Sequence, residues 1–326
     1  MSPASYELTS CPACGSADSC ELADAGEMKA EVELLWEFHD RRLKAGIPPE
    51  RLADRLAFSQ APPIRLAECR RCSHIYRNPR ERKESLAQAY AGAAPDAEVL
   101  ETLYQVQRKT SRRQVSRLTD TLGRAGRGLE VGSYAGGFLA AANGEGWTFE
   151  GLDVSEEVCA FAKGKGLRVT VGEIDSFKPG QPFDAIAIWN TFEQLYDARA
   201  ALVAAHRVLR PGGVLALRFP HGDFYRRWRT RLSGPARSLA LRLLAHNNLL
   251  GFPYRQGFTR SSLGTLLEQC GFAVISVAGD TLVRVADKWT TRFGAFEERW
   301  VKRAERLVQR EWNAPWVEVY AGKTDG

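Results

Sequence analysis

The sequence predicts an α/β protein in which a mostly parallel sheet of seven strands, with helices on both faces, follows a small metal-binding module. Three observations favour this fold class. From residue 128 onward, short apolar segments alternate with helical segments, as in sheets built from β-α-β units. Upstream of them are two pairs of cysteines, each pair separated by two residues. The composition, 44% apolar and 26% charged, is typical of a globular chain and excludes a disordered or collagen-like one.

The N-terminal module is predicted from its cysteines. A gap of two residues lets both thiolates of a pair face one ion, and two pairs complete the tetrahedral sulfur shell of Zn²⁺. That shell leaves no position for water, so we expect a structural ion. A redox pair of the thioredoxin type needs a single motif inside a β-α-β unit, which this segment lacks. The predicted zinc ligands are Cys11, Cys14, Cys69 and Cys72.

Helices are predicted within the 54 residues between the two pairs and again after the second pair. The apolar spacing predicts an amphipathic helix over residues 27–44, and a shorter helix follows over residues 50–56. We expect His39 to belong to a helix face, because four thiolates already complete the shell of the ion. A further helical stretch, rich in Arg and Lys, is predicted over residues 80–122.

The seven strands of the sheet then follow in order. They are predicted over residues 128–132, 147–154, 168–171, 183–189, 214–219, 272–277 and 316–320. Helices are predicted to begin near residues 138 and 156 and to cover residues 200–209, 259–270 and 285–311. Ser155 is the expected cap of the second helix, and Pro211-Gly212-Gly213 ends the third. The fourth strand is almost wholly apolar, which indicates burial on both faces.

The turn after the first strand carries the main chemical motif. Gly132 and Gly136 allow a tight turn and a close approach of a ligand to the backbone. Asp153 follows Glu130 by 23 residues and ends the second strand, where a carboxylate can accept both ribose hydroxyls of a nucleoside. Tyr134 replaces the second glycine of the G-x-G-x-x-G fingerprint. Because that glycine serves a pyrophosphate, its loss favours a nucleoside cofactor over a nicotinamide dinucleotide.

From about residue 127 to residue 320, the sequence resembles the class I S-adenosylmethionine-dependent methyltransferases. The resemblance rests on Glu130-Val131-Gly132-Ser133 with Gly136, on Asp153, Gly172-Glu173 and Phe183-Asp184, and on Arg207-Val208-Leu209-Arg210-Pro211-Gly212-Gly213. It implies a Rossmann-like sheet and S-adenosylmethionine as the cofactor. The cysteine pairs and Asn78-Pro79 resemble the zinc-knuckle prefix of one branch, some of whose members methylate sugars or natural products.

The resemblance also implies a cofactor site. Gly132 and Gly136 would bracket the methionine part, and Glu130 would organise the loop and the amino group. Asp153 would hold the ribose, and residues 174–175 would flank the adenine. We expect the ring of Tyr134 to fold over the cofactor. The implied site consists of Glu130, Gly132, Ser133, Tyr134, Gly136, Asp153, Val154, Glu173, Ile174, Asp175 and Asn190.

Two residues are candidates for acid-base catalysis. Methyl transfer is an in-line displacement from a sulfonium, and it needs a base only when the acceptor must lose a proton. Many relatives carry L-E-H after the fourth strand, whereas this chain has Thr191-Phe192-Glu193-Gln194. The histidine is therefore absent, and Glu193 is the acid left at that position. His221, just beyond the fifth strand, is the other candidate base.

The acceptor side is strongly basic. Residues 224–267 contain no Asp, Glu or Lys, but eight arginines: Arg226, Arg227, Arg229, Arg231, Arg237, Arg242, Arg255 and Arg260. In the class I layout, a basic lid insertion at about residues 221–257 would cover the acceptor pocket. The eight arginines have three possible interpretations: a solvated cationic face, an anionic acceptor, or a nucleic-acid or membrane surface. The apolar stretch 239–244 lacks interleaved aromatics, which favours a lid or a partner over nucleic acid.

We therefore expect a methyltransferase for a small-molecule acceptor that is anionic, sugar-like or natural-product-like. The alternatives are a zinc-ribbon nucleic-acid-binding protein and an RNA methyltransferase, which basic residues on the knuckle keep open: Arg70, Arg71, Arg77 and Arg80. Membrane contact is not favoured by the sequence, and the acceptor atom and oligomeric state stay open.

The length and composition of the chain also predict its domains and its location in the cell. At roughly 150 residues per domain, 326 residues suggest two domains or one with an appendage. We expect a zinc module with a helical insertion over residues 1–80, a helical linker or lid over 81–126, and the methyltransferase domain over 127–326. The chain carries a formal charge of +6. It shows neither a secretory signal nor an apolar run of ~20 residues, so we expect a cytoplasmic protein.

Overall fold

The computed structural model describes residues 5–47, 65–85, 96–253, 255–282, 289–308 and 310–324. The predicted helix over residues 50–56 lies outside these ranges, as do parts of the predicted helical stretches 80–122 and 285–311. None of the described helices is both long and apolar enough to cross a bilayer.

The described strands are β1 (Tyr6–Glu7), β2 (Ser19–Ala23), β3 (Leu66–Cys69), β4 (Ile75–Arg77), β5 (Arg80–Glu81), β6 (Arg127–Val131), β7 (Thr148–Asp153), β8 (Val169–Val171), β9 (Phe183–Trp189), β10 (Leu209–Pro220), β11 (Gln256–Gly257), β12 (Phe272–Asp280) and β13 (Trp316–Lys323). The described helices are α1 (Ala25–Asp40), α2 (Ala97–Thr110), α3 (Arg112–Leu122), α4 (Gly137–Gly144), α5 (Glu156–Gly164), α6 (Ala198–Val208), α7 (Gly222–Arg229), α8 (Arg237–His246), α9 (Arg260–Gln269) and α10 (Arg292–Val308).

The chain forms two compact units. Unit 1 consists of Met1–Arg80, Phe219–Thr265 and Val277–Glu318, and unit 2 of Glu81–Arg218, Leu266–Ser276 and Val319–Gly326. The segment 221–257 thus belongs to the same unit as the cysteine pairs, and the segment 81–126 to the same unit as the first strands of the large sheet. The three domains that the sequence suggested, and the two boundaries between them, stay a prediction.

The large sheet has seven strands in the order β12-β13-β10-β9-β6-β7-β8. Parallel pairing joins β8 to β7, β7 to β6, β6 to β9 and β9 to β10. The predicted seven-stranded, mostly parallel, Rossmann-like sheet is therefore confirmed. Ile186 and Ile188 of β9 are fully buried, as its apolar sequence predicted.

One apolar core of unit 2 lies between this sheet and helices α3, α4 and α5. Leu118 of α3 and Phe138 of α4 pack there with Phe149 and Trp189 of the sheet. The fifth strand begins earlier than predicted, because Leu209 already pairs with Phe183. An irregularity in the register before residue 214 contains the Pro-Gly-Gly turn, so the turn is a bulge within β10.

Unit 1 contains a small antiparallel sheet in the order β11-β4-β3-β2. The insertion helix α1 begins with a capping box between Asp24 and Glu27. Its buried Glu31 accepts hydrogen bonds from the Tyr225 hydroxyl at 2.9 Å and from Arg229 Nε at 2.6 Å. Helix α1 is thereby fixed to α7, the helix that follows β10.

Candidate cofactor site and cysteine cluster

The loop between β6 and α4 adopts a glycine-type backbone at three positions. Gly132, Tyr134 and Gly136 have φ angles of 71°, 46° and 79°, all in the left-handed region. Such a φ is uncommon for a residue with a Cβ atom. Tyr134 therefore adopts a backbone conformation that is usual for glycine. Its ring packs against a buried cluster that includes Leu100 and Tyr104 of α2.

The two glycines of this loop also permit close packing. A Cβ atom at Gly132 would lie 2.3 Å from Thr191 Oγ1, and one at Gly136 would lie 2.4 Å from Leu167 Cδ1. Neither position has room for a side chain. The loop is thereby held against the residues that follow β9 on one side and α5 on the other.

Asp153 connects this loop to the end of β7. Its Oδ2 accepts the backbone N–H of Tyr134 at 2.9 Å, and its Oδ1 accepts that of Ser155 at 3.0 Å. Burial raises the pKa of Asp153, although these backbone N–H groups act in the opposite direction. A carboxylate has about four acceptor positions, and with the backbone of Val154 as a third donor Asp153 can still accept a ribose hydroxyl. The neighbouring Val154 is 49% exposed and offers an apolar surface beside it.

Two buried polar atoms below the loop lack partners. Glu130 Oε2 and Ser133 Oγ make no hydrogen bond with any residue in the described part of the chain. Burial, and secondly the charge of Asp153, raises the pKa of Glu130 well above its ordinary value. Buried polar groups are nearly always hydrogen-bonded, so an unpaired pair of this kind indicates a ligand. The arrangement can accept a positively charged or N–H-bearing group.

The ends of β9 and β10 form the next wall of the site. The Asn190 N–H donates to Arg218 O at 2.9 Å, and the Asn190 side-chain oxygen accepts a hydrogen bond from the Arg218 guanidinium. Glu193 follows in a short 3₁₀ turn and is fully buried. Burial raises the pKa of Glu193 to about 8, against the lowering influence of the positive charge of Arg218. Neither carboxylate oxygen makes a hydrogen bond of ordinary geometry with a described residue.

Arg218 is a functional candidate that the sequence analysis missed. It is only 3% exposed and ends the apolar run of β10. The sequence signal for this role was a single arginine within an apolar strand, because a buried guanidinium needs hydrogen-bond or charged partners. Its contact with Asn190 and its proximity to Glu193 make it part of the same polar group.

The residues predicted to flank the adenine follow β8. Ile174 is buried, whereas Glu173 is exposed and lies 3.0 Å from Lys83 Nζ. The backbone oxygen of the exposed Asp175 accepts a hydrogen bond from Arg207 at 3.1 Å. Strands β6, β7 and β9 are neighbours in the sheet, and their predicted cofactor residues occupy the carboxyl ends of the strands. Ligands of open α/β sheets bind at this edge.

His221 belongs to unit 1, whereas the predicted cofactor residues belong to unit 2. It is buried, and its Nε2 lies 3.3 Å from Asp223 Oδ2. Although burial disfavours the charge, the His221 side chain, the Arg260 N–H and the Arg226 guanidinium hold the pKa of Asp223 below its ordinary value. The ring of Trp312 contacts the other side of His221, with centroids 5.5 Å apart. The catalytic role of His221 stays a prediction.

The four predicted zinc ligands converge in unit 1. The sulfur atoms of Cys11 and Cys72 are 3.6 Å apart, as are those of Cys14 and Cys69, and all four lie within 4.8 Å of one another. A tetrahedron with Zn–S bonds of ~2.3 Å has edges of about 3.8 Å. The cluster therefore has the dimensions of a four-thiolate zinc site, and its cysteines are not paired in disulfides.

Both cysteine turns have the same backbone. The N–H of Gly15 donates to Cys11 O, and the N–H of Ser73 donates to Cys69 O, each at 2.8 Å. Gly15 and Ser73 both have positive φ angles, 74° and 58°. Each knuckle is thus closed by the residue after its second cysteine.

Several arginines of the basic segment 221–257 are paired with acids, which its sequence alone does not suggest. Arg226 is paired with Glu68 and, at 2.9 Å, with Asp223. Two further arginines of the segment are also engaged: Arg229 with Glu31 at 2.6 Å, and Arg242 with Glu297 at 2.7 Å. Most of these acids come from outside the segment, which explains why the sequence of the segment alone did not reveal them.

Comparison with known proteins shows that one family model matches this chain. A family model described as "Methyltransferase domain" matches residues 103–277, more than half of the 326 residues. No curated protein matches the sequence.

Several solved structures are similar in fold. A SAM-dependent methyltransferase from Thermotoga maritima, described as a possible histamine N-methyltransferase, is 17% identical, with a TM-score of 0.46, and 69% of this chain and 94% of that chain are covered. The plantazolicin methyltransferase BpumL in complex with SAH is 14% identical, with a TM-score of 0.45 and coverages of 74% and 94%. The N-methyltransferase NodS from Bradyrhizobium japonicum is 15% identical, with a TM-score of 0.40 and coverages of 67% and 97%.

Proposed function

This chain belongs to the methyltransferase domain family and is a SAM-dependent methyltransferase, and we propose that it methylates a small-molecule acceptor beside Glu193. The observation that carries the proposal is the fully buried Glu193 carboxyl group after β9. An acceptor atom can reach a buried carboxyl group only by entering the interior of unit 2. A hydroxyl or amine of a small molecule can do so without the unstacking that a nucleic-acid base requires.

The residues around the glycine loop fit the proposed cofactor. S-adenosylmethionine supplies an electrophilic methyl group on a sulfonium, together with a ribose and a charged amino acid. Asp153 would accept a ribose hydroxyl, and Val154 would contact the adenine. The unpaired Glu130 Oε2 and Ser133 Oγ would accept hydrogen bonds at the amino-acid end. A positive amino group there would compensate the charge of an ionised Glu130.

Glu193 would act as the base for the acceptor. A carboxyl group with a pKa of about 8 can take a proton from a hydroxyl or amine more readily than an ordinary carboxylate. Arg218 and Asn190 would hold the wall against which the acceptor lies. We therefore expect the rate to rise with pH up to about pH 8.

Three of the four knuckle arginines favour a small molecule over a nucleic acid, whereas the fourth, Arg71, is exposed. Arg77 is buried, Arg80 pairs with Glu7 at 2.8 Å, and Arg70 lies 3.6 Å from Asp18. A phosphate-binding surface needs cationic groups that are accessible and not already compensated. These three arginines do not meet that requirement.

Titration calorimetry tests the cofactor, and a transfer assay tests the acceptor. We expect binding of S-adenosylmethionine and of its demethylated product, and none of NAD. Transfer of labelled methyl groups to a fractionated pool of small metabolites, with none to RNA, would support the proposal. Label in RNA and in no small-molecule fraction would refute it.

We also propose that the cysteine cluster holds one structural zinc ion. Metal analysis of the purified protein should give one zinc per chain, and Cys69→Ser should lose it, because three thiolates no longer close the shell. Cys20→Ser is the matched control, since Cys20 lies outside the cluster and its sulfur donates to the backbone oxygen of Glu68 at 3.7 Å. Equal zinc content in the two variants would exclude the cluster as the zinc site.

A further inference from the structure

Helix α10 has its polar side inward and its apolar side outward. Glu298, Lys302 and Glu305 are between 1% and 3% exposed. The apolar residues of the same helix are the exposed ones: Phe293 at 75%, Phe296 at 56%, Trp300 at 56% and Leu307 at 73%. This is the reverse of the pattern that a helix packed on a soluble core shows.

Ion pairs fix this orientation. Lys302 Nζ lies 3.0 Å from Glu298 Oε1, and Arg42 donates to Glu298 Oε2 at 3.3 Å. Asn247 Nδ2 donates to Glu305 Oε1 at 2.7 Å. Rotation of α10 to cover its aromatics would expose these pairs and break them. The aromatic residues are therefore held outward by the packing of unit 1.

The exposed side divides into two adjoining stripes. At about 100° per residue, the apolar residues occupy a sector of about 60° on the helix. A second sector of about the same width lies directly beside it. The members of this second, cationic sector are Arg292, Arg299, Arg303 and Arg306, all exposed.

The acids of α10 compensate these arginines only in part, through an electrostatic interaction between Arg306 and the buried Glu305. Glu298 and Glu305 are buried, and Glu297 is paired with Arg242 at 2.7 Å. Arg292, Arg303 and Arg306 form no ion pair with any residue in the ranges that the structure describes. A row of largely uncompensated positive charge is thus exposed beside a row of apolar, mostly aromatic side chains.

We propose that this face of α10 docks on an anionic lipid bilayer. Phe, Trp and Leu side chains enter the boundary between headgroups and acyl chains, and adjacent arginines contact lipid phosphates. The 17-residue helix would lie in the plane of the interface. The stripe of exposed arginines is complementary in charge to such a surface, whereas a second copy of this chain would bring a like-charged stripe. The proposal is independent of the acceptor chemistry proposed above.

Co-sedimentation of the full chain with lipid vesicles tests this. We expect binding to vesicles with about 30% phosphatidylglycerol in phosphatidylcholine, little binding to phosphatidylcholine alone, and weaker binding at high salt. The double variant Phe296→Ser/Trp300→Ser should bind at least about tenfold more weakly. Arg299→Gln/Arg303→Gln should lose the preference for anionic lipid.

Val203→Ser is the matched control, because Val203 is an apolar helical residue that is 54% exposed outside unit 1. It should bind vesicles like the unchanged protein. Circular dichroism and S-adenosylmethionine binding verify that each variant is folded. Absence of binding to anionic vesicles, or equal binding by the double variant, overturns the proposal. A change from dimer to monomer in the double variant without any vesicle binding would assign the face to self-association and overturn it as well.

Discussion

Tyr134 occupies a backbone conformation that normally requires glycine. Its φ of 46° carries a cost of roughly 1–2 kcal/mol for a residue with a Cβ atom. Two interactions offset this cost: the ring packs beside Leu100 and Tyr104, and the N–H donates to Asp153. We expected the ring to fold over the cofactor, and that expectation stays a prediction.

Asp153→Ala should weaken binding of S-adenosylmethionine by ~1–3 kcal/mol, because it removes the acceptor of a charge-assisted hydrogen bond from the ribose. Titration calorimetry gives the difference in affinity directly. The melting temperature should also fall, since the N–H groups of Tyr134 and Ser155 lose their acceptor. Asp120→Ala, at an exposed position on α3, should change neither quantity. Unchanged cofactor affinity in Asp153→Ala would show that the ribose is held elsewhere.

Glu193→Gln should change how stability depends on pH. In the folded protein the pKa of Glu193 is raised from 4.5 to about 8. Between these values the unfolded chain ionises while the folded protein stays protonated, so the contribution to stability falls as pH rises from about 4.5 to about 8. The variant cannot ionise there. Its free energy of unfolding, relative to the unchanged protein, should rise by a few kcal/mol between pH 5 and pH 8.5.

Denaturant unfolding at several pH values measures this difference. Parallel stability profiles of the two proteins would mean that Glu193 ionises normally in the folded state. Methyl transfer should fall in the variant most strongly near pH 8 and above, where Glu193 of the unchanged protein is ionised, because the amide accepts no proton. A variant with full activity would remove Glu193 from the mechanism.

At the scale of elements, α2 and α4 approach closely at one glycine. A Cβ atom at Gly137 would lie 2.4 Å from Gln107 Cβ and 2.8 Å from Tyr104 O. Gly137→Ala should therefore force the two helices apart and destabilise the protein by ~1–3 kcal/mol. Thermal unfolding measures the change.

Gly144 is the control on the same helix, because a Cβ atom there meets nothing within 4 Å. Gly144→Ala should be neutral or stabilising by up to ~1 kcal/mol, owing to the helix propensity of alanine. Equal loss of stability in both variants would show that helix packing at residue 137 is not the cause.

The sequence predicted best those features that have a clear local residue pattern. The apolar run 183–189 became β9 with its predicted bounds, and the two cysteine pairs met in space. The bulge in β10 was not predictable from the Pro-Gly-Gly turn, since pairing with β9 extends the strand past that turn. Helix α1 was predicted from its apolar residues, but its buried Glu31 depends on Tyr225 and Arg229, which are remote in sequence.

At the scale of the whole molecule, the chain has a net charge of +6, and several of its arginines are paired with specific acids. An anionic acceptor was one of the three interpretations of the arginines in the segment 221–257, beside a solvated cationic face and a nucleic-acid or membrane surface. Arg226, however, is engaged with Glu68 and Asp223, whereas Arg227 is exposed. Neutralising both at once would mix a structural effect with an electrostatic one.

Arg226→Gln should therefore lower the stability by ~1 kcal/mol, because two partly buried carboxylates lose their partner. Arg227→Gln should leave the melting temperature unchanged. With a purified acceptor, a raised KM in Arg227→Gln at unchanged cofactor affinity would support negative charge on the acceptor. A stable Arg226→Gln variant would mean that its ion pairs contribute nothing measurable.

Pairing between β4 and β11 has a consequence for biosynthesis. Tyr76 pairs with Gln256, so the small sheet cannot be completed until 180 further residues have been translated. At ~5–20 residues per second, this takes roughly 10–40 s. Throughout that interval the outer side of β4 exposes unpaired backbone groups, a template on which neighbouring nascent chains can add strands. All four cysteines have already been made by then. Zinc can therefore bind before β11 exists, but the outer side of β4 stays open to other strands until residue 257 has been made.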